Sequence, residues 1–207
     1  DAHASADGIA VLVHDPVLNI GGRNIVISEC SAAELGALDL GAGEGIPTLH
    51  EALAAFPLAR FNIDIKSSDA ANDVVRAVTR HNAQERVLIA SFKAARRTAA
   101  CRRIPGVATS ASATVALVSV LSATVGLTFF GRWLLRSVDA VQLPTSMLGL
   151  RVFTPRFVSM CHAARVSVHA WTINNPTEMQ RLFDLGVDGV VTDRCDLANS
   201  ILRRQGS

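Results

Sequence analysis

The sequence predicts an α/β fold in which a largely parallel sheet is covered by helices, and three observations predict it. Short apolar runs of strand length alternate with segments carrying helix punctuation. Hydrophobic residues are 49% and charged residues 18% of the 207, which supports a sizeable core and excludes wholesale disorder. No sequence repeat or obvious linker interrupts the pattern, so one domain over residues 1–207 is expected.

The strand-like runs are Ile9–Val13, Phe61–Ile65, Val87–Ala90, Val107–Thr109, Val138–Leu143, Val166–Trp171 and Asp188–Thr192. Between them, Thr48 and Glu51 have the spacing of a capping box. Thr154-Pro155 and Asn175-Pro176 each pair an N-cap residue with proline at the first helical position. Asp69–His81 and Lys93–Arg103 read as surface helices, the second with a solvated basic face.

The first strand is different. Too few residues precede Ile9 for a parallel crossover, and Asp7-Gly8 is a two-residue hairpin turn. Counting outward from that turn pairs Ala6 with Ile9 and sets Asp1 opposite His14, which brings a carboxylate to an imidazole. Six strand–helix units follow. With the strand that feeds the hairpin they make seven, a number that a doubly wound sheet could use. A (β/α)8 barrel would need one more strand before residue 1.

Along Arg60–Lys66, alternation sets Phe61, Ile63 and Ile65 on one face and Asn62, Asp64 and Lys66 on the other. Parallel strands normally bury two apolar faces. A face bearing Asn, Asp and Lys therefore lines something wet or charged, with a structural Asp–Lys pair as the plainer reading.

Val-Leu-Val-His14-Asp15-Pro after the Asp7-Gly8 turn resembles the second histidine motif of glycerophosphodiester phosphodiesterases. Asn62-Ile-Asp64-Ile-Lys66 resembles their Glu-x-Lys strand, and Ile-Ala-Ser91-Phe92 their Ser-Phe strand end. His169-Ala-Trp171-Thr172-Ile-Asn174 is similar to their Trp-Thr-Val-Asn segment, and Gly186-Val-Asp188-Gly189-Val-Val-Thr192-Asp193 to their last strand. Each motif is weak alone; the ordered set spans nearly the whole chain. The resemblance implies a TIM (β/α)8 barrel of the PLC-like phosphodiesterase type. It also implies hydrolysis of a small-molecule glycerophosphodiester to glycerol phosphate and an alcohol.

The departures are specific. The family's His-Arg-Gly strand, its Pro-Glu-Asn helix start and the first acid of its Glu-x-Asp have no counterpart, and Asp1 aligns with the last residue of that motif. The expectation is a barrel lacking strand 1 and most of strand 2, with turnover lost or nearly so and an open seam prone to edge association. Asp64 stands where the family has Glu, one methylene shorter.

The resemblance assigns His14 as general acid or base, Asp1 and Asp64 as ligands of a divalent cation, and Lys66 as a phosphate contact. Oxygen ligands favour Mg²⁺ or Ca²⁺ over zinc. Trp171 is expected as a wall of the substrate pocket or as interior filling. Gln142 and Asn174 are substrate contacts, or else a satisfied amide and a helix-capping residue. Ser91 reads as a strand-end hydrogen-bonding residue rather than a nucleophile, and His3, His50, His81 and His162 as surface or loop residues. The other readings are a phospholipase D-like relative acting on sphingolipid or lysophospholipid head groups, and a non-catalytic phosphate-binding barrel.

A net charge of +2 and a pI near 8.5 argue against nucleic acid as a partner. The four cysteines are scattered, which predicts buried thiols rather than zinc or disulfides. No secretory signal is read, so the expected location is cytoplasmic. Ile104–Gly131 carries no charge. A membrane span, an ordinary buried helix, and a peripheral lip at Ala113–Phe130 ending in Arg132, Trp133 and Arg136 are the readings it allows.

Overall fold

A computed structural model describes residues 1–41, 43–147 and 149–205. The chain divides into two compact units, Asp1–Thr109 and Ser110–Ser207.

The first unit opens with β1 (Ala2–Ala4) antiparallel to β2 (Ala10–Leu12), then a hairpin of β3 (Val17–Ile20) and β4 (Arg23–Val26). α1 (Ala32–Gly36) and α2 (Leu49–Ala55) each start in a capping box, at Ser31 with Glu34 and at Thr48 with Glu51. The backbone and hydroxyl hydrogen bonds of these boxes hold both glutamates below their usual carboxylate range. Then follow β5 (Phe61–Asp64), α3 (Ala70–Arg80), β6 (Val87–Ala90), α4 (Ala94–Cys101) and β7 (Ala108–Thr109). β5, β6 and β7 pair in parallel, and Ala2 bridges Ile65 in parallel, so β1 flanks β5. Leu49, Leu53, Ile63, Ile65, Val74 and Ile89 form the core between this sheet and its helices.

The opening hairpin departs from the expected register. Ala4 faces Ala10 and Ala2 faces Leu12, so Asp1 stands beside Val13, whose N–H donates to the Asp1 carbonyl at 3.1 Å. The reason is Ser5. Its hydroxyl accepts the Ile9 N–H at 3.0 Å while its own N–H donates to the Ile9 carbonyl at 3.0 Å, which closes the loop one residue wider. Ala6-Asp7-Gly8 becomes a three-residue loop with Gly8 at φ +73°, the left-handed position such loops require. The hairpin β3–β4 is an element the sequence reading lacks; its turn is Gly21-Gly22.

The second unit contains α5 (Ala113–Thr124), α6 (Thr128–Leu135), β8 (Ala140–Leu143) and a short hairpin of β9 (Ser146–Met147) and β10 (Leu150–Arg151). It continues with α7 (Pro155–Ala163), β11 (Ser167–Ala170), α8 (Pro176–Asp184), β12 (Gly189–Val190) and α9 (Cys195–Gln205). β8, β11 and β12 are parallel neighbours, and Ser110 bridges Ala140 in parallel. Thr154 and Asn175 cap α7 and α8 as their sequence predicts, accepting from the amides of Phe157 and Glu178 with proline at the helix start. Leu135, Val141, Phe153, Phe157, Val168 and Leu182 are fully buried in its core.

Three expectations change. The uncharged stretch Ile104–Gly131 is divided among β7, α5 and α6, and no helix among the described residues is long and apolar enough to cross a membrane. Of the cysteines only Cys161 is buried, its thiol pushed up to about 12 by burial, while Cys195 is exposed. The basic helix is not simply solvated. The Arg96 guanidinium donates to the Lys66 carbonyl, and Arg103 donates to Asn72 Oδ1 at 2.6 Å.

Candidate active site

Two strand ends of the first unit build the cluster. β1 and β5 lie side by side, and the Lys66 N–H donates to the Ala2 carbonyl at 3.0 Å. Alternation then turns Asp64 and Lys66 away from the buried Ile63 and Ile65, toward Asp1. The Lys66 ammonium lies 2.8 Å from Asp64 Oδ2 and 3.4 Å from Asp1 Oδ1. All three side chains are mostly shielded, at 23%, 18% and 22% exposure for Lys66, Asp64 and Asp1. The ammonium also sits over the Phe92 ring, 5.6 Å from its centroid.

His14 follows β2. Its Nε2 is 3.7 Å from Asp1 Oδ2, so the acid and imidazole meet although the hairpin register does not set them opposite. The His14 Nδ1 lies 2.8 Å from Asp15 Oδ1. A carboxylate only accepts, so Nδ1 carries the proton and Nε2 is left for proton transfer. Asp15 thus orients the His14 ring, a part that its place in the motif alone does not assign it.

His3 is a second residue missed. Instead of standing as a surface or loop residue, it lies on the face of Asp1 by β1 alternation, and its Nε2 donates to the His14 carbonyl at 3.2 Å. Burial lowers its pKa, against the pull of that hydrogen bond, so the ring is neutral near pH 7. The period of two from Asp1 was the available signal.

Asp64 Oδ1 is buried with no hydrogen-bond partner. An orphaned carboxylate oxygen is costly unless something positive meets it. Asp1 and Asp64 fit a hard divalent ion, which binds oxygen; Mg²⁺ in particular is held by one or two carboxylates, with substrate phosphate and water completing its shell. No group of three or more His, Cys, Asp or Glu suited to a metal occurs among the described residues.

The other sequence-predicted residues belong to the second unit. Gln142 Nε2 lies 3.3 Å from His169 Nδ1, and burial lowers the His169 pKa, so the neutral ring accepts the amide proton. Gly189 leaves room for that ring: a Cβ there would come within 3.2 Å of His169 Cδ2. Trp171 is half-buried on the same strand face as His169, opposite the buried Val168 and Ala170. Asn174 is engaged: its amide donates to Asp193 Oδ2 at 2.8 Å, and its Oδ1 accepts from the Thr192 hydroxyl and the Asp193 N–H, both at 2.9 Å. Asn175, its neighbour, caps α8.

Ser91 donates to the Ile65 carbonyl at 2.8 Å, the structural part expected of it. His50 and His162 have partners that sequence spacing did not reveal: Asp73 at 3.6 Å and Asp188 at 2.9 Å. The His81 ring lies 5.5 Å from that of His50.

The model of the Glycerophosphoryl diester phosphodiesterase family matches residues 1–197. A Mycobacterium tuberculosis protein named "Probable glycerophosphodiester phosphodiesterase 2" is 40% identical over 208 residues, covering 100% of this chain and 79% of that protein. A glycerophosphodiester phosphodiesterase crystal structure from Parabacteroides distasonis superposes with a TM-score of 0.71 at 26% identity, covering 100% of this chain and 83% of the other. A phosphodiesterase from Oleispira antarctica shares the fold, with a TM-score of 0.74 at 24% identity over 100% of this chain and 83% of that one. The family match over nearly the whole chain and the 40% identity settle the membership: the chain belongs to the glycerophosphoryl diester phosphodiesterase family, a family of phosphoric diester hydrolases.

Proposed function

We propose that this chain hydrolyses glycerophosphodiesters to glycerol phosphate and an alcohol, with His14 as general acid and base and a divalent cation, Mg²⁺ or Ca²⁺, held by Asp1 and Asp64. The observation that carries the proposal is the meeting of Asp1, His14, Asp64 and Lys66 at adjoining strand ends. The family match supports the substrate class.

A phosphodiester is an anion, so attack on it requires charge neutralisation. A cation held by Asp1 and Asp64 would supply Lewis-acid polarisation of the phosphodiester. Lys66 contributes a second positive charge from a side chain already fixed by Asp64, Asp1 and the Phe92 ring, so little freedom is lost when it turns to a phosphoryl oxygen. His14 Nε2 accepts a proton from the attacking water, whose oxygen forms the new P–O bond, and returns a proton to the alkoxide oxygen as its P–O bond breaks. Asp15 holds the imidazole in the required tautomer and stabilises its protonated form. The His3 hydrogen bond steadies the His14 backbone.

The test is release of glycerol phosphate from glycerophosphocholine by the full chain with Mg²⁺ or Ca²⁺, beside His14→Gln. Turnover that depends on the ion and falls with His14→Gln supports the assignment. Turnover indifferent to both removes it.

A further inference from the structure

The helical hairpin α5–α6 carries an exposed apolar tip. α5 ends in a Schellman turn, in which the Leu127 N–H donates to the Ser122 carbonyl at 2.8 Å and the Gly126 N–H to the Ala123 carbonyl at 3.3 Å. Gly126 sits at φ +84°, which favours glycine. The residue at the Leu127 position of such a turn often packs back against the helix it ends. Here the helix offers Ser122, and Leu127 stays 58% exposed. Phe129 is 83% exposed, Val125 69% and Trp133 50%. The Phe130 and Trp133 rings stack at 5.9 Å, and Phe129 lies one helical turn from Trp133. Apolar residues clustered in this way mark an interaction surface, whereas scattered ones do not.

The surroundings of the tip are cationic. The Arg136 guanidinium lies 4.8 Å from the Trp133 ring centroid, and Arg132 is exposed on the same short helix. Arg156 donates to the carbonyls of Ala123 and Thr124 at the end of α5. No Asp or Glu occurs from Ile104 to Val138. Exposed aromatic and aliphatic side chains beside arginines, with no acid in their own segment, complement a surface that is anionic outside and apolar beneath. A second copy of the chain meeting this face about a two-fold axis would bring arginines against arginines.

We propose that the α5–α6 tip docks the protein peripherally on an anionic lipid bilayer. Leu127, Phe129 and Trp133 enter the interfacial layer, and Arg132 and Arg136 meet lipid phosphates. Docking by this face requires nothing of the catalytic cluster in the first unit.

The experiment is co-sedimentation of the full 207-residue chain with vesicles of phosphatidylcholine alone and of phosphatidylcholine mixed with phosphatidylglycerol. Binding is expected to the mixed vesicles only, and to weaken with added salt. Replacing Arg132 and Arg136 by Gln lowers partitioning about 30-fold, from two charges near the surface. Leu127→Ser, Phe129→Ser and Trp133→Ser together lower it at least about tenfold with the thermal melt unchanged. Should the serine variant fail to fold, the glutamine variant, which keeps the apolar tip, still decides. The proposal is overturned if the native chain ignores phosphatidylglycerol vesicles, or if folded variants bind as it does. It is equally overturned if sedimentation velocity shows a dimer that the serine variant dissociates while vesicles are ignored.

Discussion

The Lys66 ammonium lies 2.8 Å from one oxygen of Asp64, while the other oxygen of that carboxylate is buried with no partner. One side chain thus carries a satisfied half and an unsatisfied half. The unsatisfied half is the reason to expect a cation. Chelation with EDTA should abolish glycerophosphocholine hydrolysis, and added Mg²⁺ or Ca²⁺ should restore it. Asp64→Asn keeps the shape and removes the charge, and should cost at least about 100-fold in kcat/KM, a loss that excess metal partly repairs.

In the proposed mechanism His14 acts through Nε2, because Asp15 accepts its Nδ1–H. His14→Gln should lower kcat by about 10²–10⁴-fold. Asp15→Asn, which only loosens the choice of tautomer, should cost about tenfold with KM little changed. Steady-state kinetics on the two variants separates the roles.

Asp73 is a stability residue. It is 1% exposed, accepts the Ala10 N–H at 2.7 Å, and is held by Arg76 at 2.8 Å. Asp73→Ala leaves the Ala10 N–H buried without a partner and should cost about 1–3 kcal/mol, read from urea midpoints at constant m.

His169 gives the fold an acid dependence. Burial lowers its pKa from 6.5, so the unfolded chain binds its proton first. Stability from the neutral ring is fully present above pH 6.5 and is lost as pH falls through the lower folded value. His169→Gln should flatten that part of the Tm profile below pH 6.5, leaving the contribution of His3, whose pKa is lowered too.

Thiol labelling should distinguish the cysteines. Cys195 is exposed, whereas burial pushes the Cys161 thiol up to about 12. In iodoacetamide at pH 8, mass spectrometry should find Cys195 modified in the folded chain and Cys161 only after urea is added.

Much of this was legible in the residues, because local rules act over a few positions. The capping signals at Thr48, Thr154 and Asn175 work through hydrogen bonds spanning three residues, and each forms as read. Alternation along Phe61–Lys66 separates the buried Ile63 and Ile65 from Asp64 and Lys66. The hairpin register was not legible, because the Ser5 hydroxyl competes with the backbone for Ile9 N–H and widens the loop. The ties of His50 to Asp73 and of His162 to Asp188 span 23 and 26 residues, and no spacing rule reaches that far.

The sequence by itself determined which ionisable side chains share a strand face, since side-chain type and the period of the backbone are local properties. Tertiary structure alone decided that β1 lies beside β5, so that Asp1 and Asp64 share one lysine. It alone decided that Asp64 keeps a buried oxygen unpaired, and that Leu127 and Phe129 remain in water. Charge sharing and exposure depend on which surfaces meet, and those meetings join residues far apart in the chain.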